Sequence, residues 1–215
     1  MDKGVQLKKL QDELETSYES LPLATKREDL VHGEGNPEAE IFMIGEGPGY
    51  YEAVQRRPFV GRSGQLLRRS LQEIGLSPET TWITNIIKVR PPENRDPTVE
   101  EIEAFRPSLN QELEIIKPLL IVTLGRFSLA KFLPDVRISQ VHGRLHKVNW
   151  EGRLVFVLPM YHPAAALRNG NIMDLFEQDF KLITKIMDLS NNKIDEDNGE
   201  DEKNSNNGSQ QLNFF

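Results

Sequence analysis

Four side chains with complementary chemistry sit in four short, well-separated motifs. They are Glu46 in Gly-Glu-Gly-Pro-Gly (45–49), Phe59 in Arg-Pro-Phe-Val-Gly (57–61), Asn85 heading Asn-Ile-Ile-Lys-Val-Arg-Pro-Pro (85–92) and His162 heading His-Pro-Ala-Ala-Ala-Leu-Arg (162–168). An aromatic ring supplies a face on which a flat ring can stack, and an amide offers one donor group and one acceptor to its edge. A neutral imidazole can donate to an oxygen on which negative charge develops. A carboxylate can organise or activate a water. Together they describe a pocket for a planar heterocycle. Read singly, each has an ordinary alternative. Glycine turns are common at strand-to-helix junctions, Phe59 is one of ten phenylalanines, an asparagine caps turns, and a lone histidine is more often structural.

Strand ends are needed to bring such a set together. Residues 40–45 form a short apolar run that stops in glycine, the pattern of a buried strand feeding a tight turn. Leu66, Leu67, Leu71 and Ile74 recur at helical spacing within 61–76, and Gly75 closes that helix. The alternation repeats with a strand over 81–87, a helix over 98–117 whose Thr98 and Glu101 form a capping box, and a strand over 118–124 ended by Gly125. A short helix follows through Phe132. Residues 145–150 and 154–158 read as a hairpin across Glu151 and Gly152, its second strand delivering 159–162. An amphipathic helix over 5–20, a loop over 29–37 and a closing helix over 172–189 complete the body. This alternation predicts a three-layer α/β/α domain with a central, mostly parallel, four-stranded sheet. Such sheets hold ligands at the carboxyl ends of their strands, where Glu46, Asn85 and His162 fall.

In order, spacing and placement the motifs resemble those of the uracil-DNA glycosylases, above all the family 4 branch that carries an iron–sulfur cluster. The resemblance covers about residues 21–187 and implies an enzyme that flips uracil out of DNA. It would hydrolyse the N-glycosidic bond and leave an abasic site, initiating base excision repair. The resemblance assigns catalysis to Glu46, Asn85 and His162, and base binding to Gly45, Gly47, Glu52, Phe59 and Asn85. Glu46 would organise the contact to uracil O2 and the water, and Glu52 would stand near C5, where bulk rejects the thymine methyl. Phe59 would stack on the base, Asn85 would pair with O4 and N3–H, and His162 would donate to O2. Better-known glycosylases place a water-activating aspartate where this chain has Gly47. Arg62, Lys88, Arg90, Arg144 and Arg168 are the candidate DNA contacts, with segment 164–168 expected against the backbone or minor groove.

The chain also departs from that branch. The four cluster cysteines match Tyr18, Leu21, Val89 and Phe105, and the sequence has no cysteine at all. Disulfides, thiolate metal sites and cysteine nucleophiles are thereby excluded. The expectation is an apolar plug in place of the cluster, with no metal or cofactor. A related branch that traps DNA covalently uses a histidine after the asparagine motif, whereas residues 91–97 contain none. No Lys-Ser/Thr pair follows the glycine turn, which argues against a nucleotide-phosphate enzyme. The alternative from another class is a non-catalytic, clamp-tethered reader of damaged DNA.

With 38% hydrophobic content, 215 residues suffice for one domain with a sizeable core and a tail. No apolar run nears the roughly eighteen residues of a membrane span, so a soluble, cytoplasmic, nucleoid-associated monomer is expected. The formal charge of −7 is unevenly spread: residues 188–215 hold seven acidic and two basic side chains, −5 in all, leaving −2 for the body. Arginines around the motifs can therefore still form a basic groove. The expected organisation is a domain over 1–189, an acidic disordered linker over 190–210, and a peptide over 211–215. In that peptide Gln211, Leu212, Phe214 and Phe215 resemble the pentapeptide with which bacterial replication and repair proteins bind the sliding clamp. Docking of the same residues on the protein's own surface is the other reading.

Overall fold

A computed structural model describes residues 2–77 and 79–188, and the backbone of 210 and 211. Four strands are parallel: β2 (Ile41–Gly45), β3 (Thr81–Asn85), β4 (Leu120–Leu124) and β6 (Arg153–Met160), in the order β3-β2-β4-β6. This is the expected parallel core, extended at its edges by antiparallel strands. β1 (Glu34–Gly35) pairs with β3, β5 (His146–Trp150) with β6, and β7 (Gln210–Gln211) with β5. Among the described residues the sheet thus counts seven strands, built around the four of the parallel core. β1 falls inside the stretch expected to be loop, because two residues are too few to leave an alternating pattern in the sequence.

Alternate strand residues feed opposite cores, as the pleat requires. Phe42, Ile44, Trp82, Ile121 and Val157 face one side, where Leu7 of α1 (Lys3–Thr16) and Phe105, Leu109 and Leu113 of α4 (Val99–Ile116) cover them. Ile41, Met43, Ile83, Val122 and Leu158 face the other, under Leu66, Leu67 and Leu71 of α3 (Arg62–Glu73) and Phe176 and Phe180 of α8 (Gly170–Phe180). The result is three layers. Thr98 and Glu101 cap α4 reciprocally, as the sequence predicts. The hairpin turns through Glu151 (φ 49°) and Gly152 (φ 80°), both left-handed, matching the twist of the flanking strands. The closing helix begins earlier than expected, because Asn169 caps it, and is interrupted at Lys181 before helical residues 182–188.

Tyr18, Leu21, Val89 and Phe105 join one apolar cluster, with Val89 and Phe105 buried in it and the other two, partly buried, packed against it. None of the four offers a ligand for an iron–sulfur cluster, and no group of three or more metal-binding side chains occurs among the described residues. These residues do not fit that group. No helix among the described residues is long and apolar enough to cross a membrane. The expected linker over 190–210 lies outside the described residues except at 210, as do Leu212, Phe214 and Phe215 of the expected clamp peptide.

Candidate active site

Strand register builds the site. Gly45 of β2 lies directly opposite Asn85 of β3, and β4 and β6 end side by side at Leu124 and Met160, which brings His162 to the same edge. The chain leaves β2 with β3 on one side and β4 on the other, the switch point at which α/β sheets open a crevice. A cavity of about 250 Å³ opens there, lined by Glu46, Gly47, Glu52, Phe59, Asn85 and His162. Four motifs far apart in sequence therefore converge on one pocket.

Phe59 is held in a left-handed backbone conformation (φ 54°) that a non-glycine residue adopts only under constraint. The constraint is visible. Arg68 donates from Nε to the Phe59 carbonyl (2.9 Å) and from Nη2 to the Pro58 carbonyl (2.9 Å). Glu34 of β1 anchors that arginine and also accepts from Arg57 at 2.8 Å. From the other side, Glu52 Oε1 accepts the Val60 and Gly61 N–H groups at 3.0 and 2.8 Å. A side chain at Gly64 would overlap the Phe59 backbone, and one at Gly45 would overlap both the Phe59 ring and the Asn85 amide. Gly45 thus lies beneath the pocket as the floor that lets ring and amide meet.

Asn85 is 3% exposed, yet its side chain makes no hydrogen bond among the described residues and borders the cavity. An amide so enclosed is costly unless a ligand completes it. His162 caps the short helix α7 (Pro163–Ala166), its Nδ1 accepting the Ala164 N–H at 3.1 Å. In the neutral ring the proton therefore sits on Nε2, the nitrogen left to donate. Burial, reinforced by the Arg168 charge, pushes its pKa down to about 4, so the ring is neutral at physiological pH. The Phe59 and His162 rings are 6.0 Å apart between centroids. Burial also raises the Glu46 carboxyl above its ordinary value, with Asp96 adding to the shift and Arg126 opposing it.

One expected DNA contact is overturned. Lys88 is fully buried, its Nζ donating to both Glu112 carboxylate oxygens (2.9 and 3.0 Å) and to Thr84, and it reaches no surface. Arg62, Arg144 and Arg168 are exposed and enter no ion pair among the described residues. Arg90 is half-buried, bonded to Asn94 Oδ1 at 2.8 Å. Four other arginines near the motifs, Arg56, Arg57, Arg68 and Arg95, are paired with Glu15, Glu34, Glu34 and Glu101. Ser63 and Asn94 also line the cavity without standing out in the sequence, and Arg95 lines it as well rather than a DNA groove. The proline-rich stretch 91–97 was the available signal for Asn94, since Glu93 and Asn94 are both left-handed and Pro91, Asn94 and Pro97 all line the cavity.

Comparison with known proteins agrees with this geometry. The profile of the Uracil DNA glycosylase superfamily matches residues 32–184. A type-4 uracil-DNA glycosylase of Saccharolobus solfataricus is 44% identical over 178 residues, covering 80% of this chain and 82% of that protein. The type-4 enzyme of Sulfurisphaera tokodaii is 41% identical over 186 residues, 84% of each chain, and that of Thermotoga maritima is 43% identical over 148 residues, 69% and 77%. Profile, relatives and pocket point the same way, and the chain belongs to the uracil-DNA glycosylase superfamily.

Proposed function

We propose that this protein is a monofunctional uracil-DNA glycosylase that hydrolyses the N-glycosidic bond of a flipped deoxyuridine and leaves an abasic site, initiating base excision repair. The observation that carries the reading is the buried Asn85 amide, without a side-chain hydrogen bond among the described residues, lining one cavity with Phe59 and His162. Phe59 stacks on the base. Asn85 accepts from uracil N3–H and donates to O4, and cytosine, with donor and acceptor exchanged, leaves those groups unpaired. As the C1′–N1 bond breaks, its electron pair passes to the uracil ring, and His162 Nε2–H stabilises the charge on O2 without itself ionising. Glu46 orients a water whose oxygen bonds to C1′ and accepts the proton that water sheds. Glu52, fixed by Val60 and Gly61, walls the C5 edge against a methyl group.

Arg62, Arg90, Arg144 and Arg168 are the proposed DNA contacts, and no cofactor is required for these steps. The protein works as a cytoplasmic monomer on nucleoid DNA, and residues 211–215 dock a sliding clamp. Deleting those five residues is expected to abolish clamp capture in a pull-down; unchanged capture rejects that part. The pocket is tested by cleavage of a labelled oligonucleotide with one uracil, followed by alkali. Wild-type protein should cleave it, and His162→Ala and Asn85→Ala should each lose at least about a hundredfold. Folded wild-type protein that leaves uracil untouched in single strands, A·U and G·U pairs would overturn the assignment.

A further inference from the structure

Two large aromatic side chains sit outside the pocket with no structural employment. Tyr50 and Tyr51 open the short helix α2 (Tyr50–Gln55), each 57% exposed. They pack edge to face on one another, with centroids 5.4 Å apart and planes at 80°. Neither hydroxyl makes a hydrogen bond among the described residues. Their neighbours in the chain on either side, Gly49 and Glu52, line the pocket. Arg90 lies over the Tyr50 ring, 5.3 Å from its centroid, and is tied to Asn94, which also lines the pocket. The pair therefore continues the pocket's own wall outward as a ring face backed by a cation.

We propose that Tyr50 and Tyr51, with Arg90, form a stacking platform for the base next to the flipped uracil on the same DNA strand. The proposal rests on the glycosylase reading and adds a second subsite to it. Extruding one nucleotide strips a stacking partner from its neighbour, and an aromatic face at the pocket rim replaces it. Stacking accepts any base, because each has a π-face, so the platform gives affinity without sequence preference. The Arg90 guanidinium supplies the charge complementary to the intervening phosphate and polarises the Tyr50 ring. Continuity with the pocket and this cation select nucleic acid as the occupant.

The test is a cycle between protein and DNA. Binding is measured by anisotropy with a labelled single strand carrying 2′-fluoro-2′-deoxyuridine, which resists cleavage, its flanking nucleotide either intact or replaced by an abasic unit on the 5′ or the 3′ side. Tyr50→Ala and Tyr51→Ala should weaken binding to the intact strand about tenfold, and Tyr50→Phe, which keeps the ring, should not. Removing the flanking base on one side should weaken wild-type binding by a similar factor and the alanine variants no further. Both rings are exposed, so the variants leave the core intact. Alanine variants that bind as wild type, or losses that add fully to that of the missing base, overturn the platform. Excision of ordinary uracil is read separately on the same proteins: if wild type does not cleave while the binding cycle behaves as described, the glycosylase reading fails and the platform stands.

Discussion

His162 links hydrogen bonding to charge state. Its Nδ1 is occupied by the Ala164 N–H, and burial holds the ring pKa at about 4, so the proton on Nε2 persists across the neutral range. Glu46 is shifted the other way, upward, chiefly by burial. The acid limb of the pH–rate profile should therefore belong to Glu46 and lie above the range of an ordinary carboxylate. His162→Gln should lower the plateau without moving that limb; an alkaline limb present in wild type and absent from His162→Gln would mean that the charged imidazole is the donor. The same histidine makes stability depend on pH. An unfolded histidine titrates near 6.5, so between there and about 4 the unfolded chain binds more protons than the folded one. Stability is full above about 6.5 and falls as pH drops, by at most about 3 kcal/mol. Urea melts between pH 4 and 7 should show this slope in wild type and a flatter one in His162→Gln.

Elements explain why some of the site was legible and some was not. Glu46 and His162 follow buried strands and Asn85 ends one, and strand ends are marked in the sequence by apolar runs that stop. Their convergence follows from sheet order, which the alternation of strands and helices largely dictates. Lys88 failed for a physical reason: its partner Glu112 lies 24 residues on, on a face of α4 that turns inward, and nothing local to Lys88 announces it. A basic residue beside a DNA-reading motif looks like a phosphate contact until the helix above it is placed. The short α2 was missed as well, since six residues carry too little periodicity. The Lys88–Glu112 pair predicts an asymmetry. Lys88→Met or Glu112→Leu alone leaves a buried charge uncompensated and should destabilise by about 3–5 kcal/mol, whereas the double variant should recover most of the loss. Denaturant midpoints of the two single variants and the double variant measure this directly, and additive losses would show that the pair is not coupled.

Across the whole molecule, the charge that matters for DNA is what remains after internal pairing. Arg57 and Arg68 are spent on Glu34, Arg95 on Glu101 and Lys88 on Glu112, and each pairing braces part of the pocket or its supports. The exposed cations outside any ion pair among the described residues then include Arg62 at the start of α3, Arg144 before β5 and Arg168 after α7. A protein that neutralises phosphates releases condensed counterions, so the slope of log affinity against log salt counts its contacts, at about −0.7 for each on single strands. Alanine at Arg62, Arg144 or Arg168 should each make the slope shallower by roughly one contact while leaving base preference unchanged. Lys88→Met should leave the slope as it is, because that ammonium never meets solvent. Titrations of a single-stranded oligonucleotide at several salt concentrations separate the two classes. A slope that changes with Lys88 but not with the three arginines would place the DNA on a different face of the protein.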